Sequence, residues 1–143
     1  MLKETIKYVD FNGTEREEDF YFNLTKTELV RMEMSKDGSL TALLTKITKA
    51  NDMPEIFEAM ENLILKSYGE KSVDGRRFDK SEDISTGFMY SPAYDVLFEK
   101  LTTDATYAYK FLMGILPAEL ADKAKKDPEI LKLAADNGIK TGN

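Results

Sequence analysis

The sequence predicts an α+β fold that is predominantly helical, with an N-terminal β-hairpin packed on a bundle of about five to seven short helices. Three observations predict it. Residues 2–9 and 15–23 alternate apolar and polar side chains around an Asn-Gly pair. From Thr25 onward the apolar residues recur at the three- and four-residue spacing of a helix face. The helical stretches are punctuated by Ser, Thr and Asp caps, by prolines placed to start helices, and by glycines placed to stop them.

In the first strand Leu2, Ile6 and Tyr8 share a face, and in the second Phe20 and Phe22 do. The turn "DFNGTE" decides how they meet. A two-residue Asn12-Gly13 loop pairs Phe11 with Thr14 and sets Ile6 opposite Asp19, so the two apolar faces disagree. A three-residue loop with Gly13 left-handed sets Leu2 opposite Phe22 and Glu4 opposite Phe20, and the apolar residues then lie together. A slip of one residue turns every side chain over, so the three-residue loop is expected. Glu15, Glu17 and Asp19 then make a wet, acidic outer face.

"TKTE" at 25–28 has capping-box spacing, with Thr25 as cap and Glu28 reaching back. Leu29 and Met32, with Val30, point inward in this first helix, which Gly38 ends. Ser39 caps a second helix to about Lys49, with Leu40, Leu43, Leu44 and Ile47 as its stripe. Asp52 caps a third, with Pro54 in its first turn and Glu55 completing a capping box. Ile56, Phe57, Met60, Leu63, Ile64 and Tyr68 form a wide apolar face, and Gly69 is placed to stop the helix. A loop from 69 to about 80 follows. Ser81 begins a short helix, Ser91-Pro92 a longer one, and "TTD" at 102–104 breaks and recaps it. Pro117 starts an Ala-rich helix, and Asp127-Pro128 the last one, ending near Gly138. The composition changes at Pro117. Residues 1–116 read as the hairpin plus helical core, and 117–143 as a helical appendage with a frayed tail.

Composition narrows the function. The chain has 143 residues, one domain's worth. Its net charge of −6 argues against nucleic acid as a partner. With neither cysteine nor histidine, disulfides, thiolate catalysis and the commonest general base are excluded. No apolar run is long enough to span a membrane, and no secretory leader is visible. The expectation is a cytoplasmic, non-enzymatic protein with no cofactor and no metal.

The candidate sites are therefore binding surfaces. "SYGEKSVDGRRF" at 67–78 lacks the glycine-lysine order of a phosphate loop. Asp74-Gly75 is a turn signal. The simplest reading is a shaped connector that presents Tyr68, Arg76, Arg77 and Phe78, with the two arginines meeting the acidic hairpin on the same molecule or on a neighbour. The acids of "TEREEDF" alternate faces on a strand, so too few converge for a calcium loop. Glu82 and Asp83 point apart on a helix. Most methionines fit core positions. Met34 and Met53 are the ones expected at the surface, where methionine suits adaptable apolar contacts.

Taken in order, "YVDFNGTEREEDFYFNLTKTELVRMEMS", "LILKSYGEKSVDGRRFDKSEDIS" and "SPAYDVLFEKLTTDATYAYKFLMGILP" make the chain resemble the tail assembly chaperones of long-tailed phages and prophages of Gram-positive bacteria. The resemblance covers roughly residues 1–117 and rests on the combination, since no single piece carries a mechanism. It implies a protein of the host cytoplasm, absent from the mature virion, that binds the tape measure protein and keeps it soluble while the tail tube forms. It also implies self-association, and contact with the tail tube protein through a frameshifted longer form. Two other classes compete: a small phage-encoded regulator or anti-defence protein that binds one host target, and a carboxylate enzyme using a divalent cation.

Overall fold

The structure is a computed structural model, and it describes residues 1–32, 41–45 and 53–141. Two strands, β1 (Leu2–Val9) and β2 (Glu15–Phe22), are followed by α1 (Lys26–Arg31), α2 (residues 41–45) and α3 (Met53–Ser67). A second pair of strands comes next, β3 (Tyr68–Lys71) and β4 (Phe78–Asp79). Five helices complete the chain: α4 (Glu82–Met89), α5 (Pro92–Thr103), α6 (Ala105–Ile115), α7 (Ala118–Lys126) and α8 (Pro128–Asp136). The fold is α+β and predominantly helical.

The first hairpin has the predicted register. Leu2 faces Phe22 and Glu4 faces Phe20. Asp10 closes the three-residue loop by donating its N–H to Thr14 O (2.9 Å) and accepting from Gly13 N (3.0 Å). Gly13 sits at φ +81°, where a side chain would be strained. Leu2, Ile6, Tyr8, Phe20 and Phe22 all face the helices. Two acids share that face and each takes a phenol. Tyr8 donates to Glu18, and Glu4 accepts from Tyr107 on α6. Burial and the Glu4 carboxylate together hold the Tyr107 phenol well above its ordinary pKa. On the outer face Lys7 of β1 lies beside Glu17 (3.8 Å) and offsets part of the expected acidity, while the Thr5 hydroxyl donates to Asp19 (2.6 Å).

The segment after α3 corrects the sequence reading. Gly69 does not stop the helix. α3 ends at Ser67, and Gly69 is a strand residue that pairs with Tyr21. Residues 69–80 are therefore not a loop but a second antiparallel hairpin, and the sheet has four strands in the order β1-β2-β3-β4. A Cβ on Gly69 would lie 2.7 Å from the Phe78 ring and 2.9 Å from Asp79 O. The glycine is there for close approach, which leaves the same sequence signal as a helix stop.

Aromatic rings join sheet to helices. Phe88 of α4 stacks on Tyr68 at 4.1 Å and also meets Phe20 (5.3 Å), Phe22 (5.8 Å) and Tyr94 (5.8 Å). Phe22 reaches Phe111 of α6 at 5.2 Å. Gly114 lets α6 approach β1, since a Cβ there would lie 2.8 Å from Leu2.

Most of the expected caps are present. Thr25 and Glu28 form the full capping box, and Ser81, Ser91, Asp104 and Asp127 each accept a first-turn N–H. α1 ends at Arg31 with Met32 as its C-cap, short of the Gly38 expected to stop it, and the Gly38, Ser39 and Asp52 positions themselves lie outside the described residues. Val30, read as inward, is exposed. The residues just after α8 are tied to it. Gly138 at φ +69° closes α8, Ile139 N donates back to Ala134 O (2.9 Å), and the Ile139 side chain is buried. Ala121, Ala124, Ile130, Leu133 and Ala134 belong to the same core cluster as the sheet residues.

Two glycines give a paired prediction. Gly69→Ala should destabilise by about 1–3 kcal/mol, because Asp79 O is backbone and cannot step aside. Gly87→Ala in α4 has open space around it and should stabilise by about 0.5–1 kcal/mol. Urea unfolding midpoints of the two variants would separate in opposite directions from the parent.

Candidate functional site

The β3–β4 hairpin carries most of the residues singled out in the sequence, and its tip is built from short polar bonds. Ser72 N donates to Arg77 O (2.9 Å) and Gly75 N to Ser72 O (3.0 Å), with Gly75 at φ +76°. The Asp74 carboxylate accepts from the Ser72 hydroxyl (2.8 Å) and from Arg76 N (3.0 Å). The Ser72 oxygen in turn accepts from Arg77 N (3.0 Å). These donors hold the Asp74 pKa below its ordinary value, the Arg76 amide first among them. The result is a rigid tip carrying an exposed apolar residue, Val73, and two exposed guanidinium groups.

The six predicted site residues fall in different places. Arg76 and Arg77 are outward, and among the described residues each has only a long local ion pair, to Asp74 and Asp79 respectively, both at 3.9 Å. Neither pairs with an acid of the first hairpin within the chain. Phe78 is half-buried and lies across Gly69. Tyr68 is buried in the aromatic cluster, so its ring is taken up by packing. Met34 lies outside the described residues. Met53 is the first residue of α3, and its side chain lies outside them too.

What sequence reasoning missed is Lys80, which ends the second hairpin. Its ammonium donates to both carboxylate oxygens of Glu28 (2.9 and 2.7 Å), to Lys66 O at the end of α3 (2.9 Å), and to Asn23 O. The group is largely shielded from water, with the lysine side chain 18% exposed. Burial pushes the Lys80 pKa down, against the pull of Glu28. At Glu28 burial pushes the pKa up, but Lys80 and the Thr25 amide more than offset it, and the carboxyl sits below its ordinary value. A lysine four acceptors deep at a helix C-terminus also complements the helix dipole. No signal in the sequence joins residue 80 to residue 28. The only hint was that Glu28 had a first job, in the capping box.

Two backbone bonds complete this junction. Asn23 N donates to Ser67 O and Leu24 N to Ile115 O, both at 2.8 Å. The chain leaving β2 is thereby tied to the ends of α3 and α6. Beside the junction is an open recess lined by Glu28, Arg31, Met32, Lys66, Lys80 and Ser85.

The family model for phage tail assembly chaperones matches residues 1–141, which takes in both hairpins, the Lys80 junction and every helix after it. The chain belongs to the phage tail assembly chaperone family. The match extends past Pro117 to include α7 and α8. Comparison with curated proteins and with solved structures finds no match. A chaperone assignment goes with a non-enzymatic role in tail assembly. Among the described residues no helix is long and apolar enough to cross a membrane.

The junction yields a stability prediction with a pH signature. Lys80→Met should lower stability by about 2 kcal/mol, since it leaves a half-shielded carboxylate and two carbonyls without their donor. Because the folded-state pKa of Glu28 is depressed, its contribution is present above the ordinary carboxylate value of 4.5 and is lost as pH falls through the depressed one. Melting temperatures of the parent and Glu28→Gln should therefore differ at pH 7 and converge on acidification. A gap that persists unchanged at acid pH would show that Glu28 acts by packing instead.

Proposed function

We propose that this chaperone binds the tape measure protein of a long-tailed phage or prophage of a Gram-positive host and keeps it soluble in the host cytoplasm until the tail tube forms around it. The observation that carries this reading is the family match across residues 1–141. The chemistry of the chain agrees with it. A holding chaperone needs no general base, nucleophile or bound metal, and the chain has no histidine or cysteine. Its acidic balance keeps a crowded assembly soluble. Coating a long client takes many copies of modest affinity whose strength is gained through avidity.

Self-association follows from the same demand. The basic tip at Arg76 and Arg77 is exposed and unmatched by acids of its own first hairpin, while Glu15 and Glu17 stand exposed on β2. Copies meeting tip to hairpin would line up along a client. The tail tube protein would be reached through a frameshifted longer form, and the finished virion would contain neither form.

Co-expression tests the client. The tape measure protein should move from the insoluble to the soluble fraction when this chain is present, and the two should co-purify. If the tape measure protein stays insoluble and a single host protein co-purifies instead, the chain is a regulator of that host target. Arg76→Glu with Arg77→Glu should leave the melting temperature close to the parent's, since exposed ion pairs contribute little. The same pair should reduce oligomer mass measured by light scattering at low salt. Unchanged mass would remove the tip from the assembly surface.

A further inference from the structure

We propose that the groove between α3 and α5 is the seat for a basic amphipathic helix of the client, a surface distinct from the β3–β4 tip. The inference rests on the client-holding reading above and adds where the client sits and what chemistry it carries. The floor of the groove is a strip of three rings. Phe57 of α3 meets Phe98 of α5 edge-on at 5.4 Å, and Phe98 stacks on Tyr94 at 5.7 Å. Phe98 and Tyr94 pack on the core from its edge. Phe57, predicted to point inward, is 39% exposed.

The rim is acidic on both sides. Glu58 and Glu61 follow Phe57 on α3. Asp95 and Glu99 form the i, i+4 row beside Tyr94 and Phe98 on α5. Glu58, Asp95 and Glu99 are exposed, and none of the four acids has an ion pair among the described residues. The nearest lysine on α5 is engaged elsewhere, with Lys100 Nζ 4.1 Å from the Tyr107 ring centroid. Burial first, and then Glu61 and Asp95, push the Tyr94 phenol up to about 12, which places both acids at the ring strip.

Two packed helices leave a groove that a third helix fills with its own side-chain ridge. A ridge of large apolar residues would cover the rings, and flanking lysines or arginines would reach the four carboxylates. Among the described residues, the lysine-rich α7 (Lys123, Lys125, Lys126) has no free apolar face to offer from a second copy, since its Ala121 and Ala124 already face the core. The occupant that the rings and carboxylates fit is a lysine- or arginine-flanked helix of the client.

The test uses the full chain and a labelled synthetic peptide of about 18 residues, long enough for five helical turns, with leucines on one face and lysines on its flanks. Fluorescence anisotropy should show saturable binding that weakens as salt is raised. A triple variant, Glu58→Lys, Asp95→Lys and Glu99→Lys, should bind about tenfold more weakly. Phe57→Ser should also weaken binding, and circular dichroism should show both variants folded. Equal binding by the triple variant, or equal binding of a peptide with glutamates in place of the lysines, would overturn the proposal. Co-purification with the tape measure protein separates the two readings. If the parent and the triple variant retain it equally, the groove is not the seat but the client reading stands. If the parent fails to retain it, the client reading itself falls.

Discussion

One ammonium group holds three parts of this protein in register. Lys80 Nζ sits where the strand leaving the first hairpin, the capping carboxylate of α1 and the C-terminus of α3 converge. None of these could be buried alone. Asn23 O and Lys66 O are carbonyls at element ends, where no ladder or helix partner remains, and Glu28 is a carboxylate half removed from water. A single cation with several donors satisfies all of them at once, and the cost of shielding each polar group is met by the same side chain. The second hairpin delivers that side chain. Its four-residue and two-residue strands are short, but they fix the direction in which Lys80 leaves the sheet.

The helices around this junction are short, from six to fifteen residues among those with both ends described, and most would be marginal in isolation. α1, α4, α5, α6 and α8 are each opened by a side-chain cap and then held by a buried face. The aromatic cluster centred on Phe88 is where these faces meet the sheet, so α4 links β2, β3 and α5 although it has only eight residues. Glu4, half-buried on the inner face of the sheet, follows the same rule as the junction, because the Tyr107 hydroxyl donates to it.

Charge is distributed unevenly over the surface. The outer face of the first hairpin is partly neutralised by its own lysines, the second hairpin ends in a basic tip, and the α3–α5 surface carries exposed acids beside the partly exposed Phe57. A chaperone that engages neighbours and a client at the same time needs surfaces of different sign kept apart on a rigid frame. The four-stranded sheet and the junction at Lys80 supply that frame, and the family assignment gives it a setting in tail assembly.

Local chemistry was legible in the sequence wherever neighbours along the chain set the outcome. The hairpin register followed from period-two alternation and one left-handed glycine, and the helix starts followed from Thr25, Ser81, Ser91, Asp104 and Asp127, because a cap acts on amides two or three residues away. Contacts across the chain were not legible. Gly69 gave the signal of a helix stop, yet its role is to let Phe78 and the Asp79 backbone approach, and that neighbour is known only once the second hairpin exists. Phe57 fitted an inward helical stripe, but α5 covers only part of its ring. The sequence by itself determined the α+β class, the first hairpin and most element boundaries. The tertiary structure alone decided that residues 68–79 extend the sheet, that Lys80 joins three elements, and that Phe57 meets Phe98 while staying partly exposed, because each depends on residues that meet only after the chain has packed.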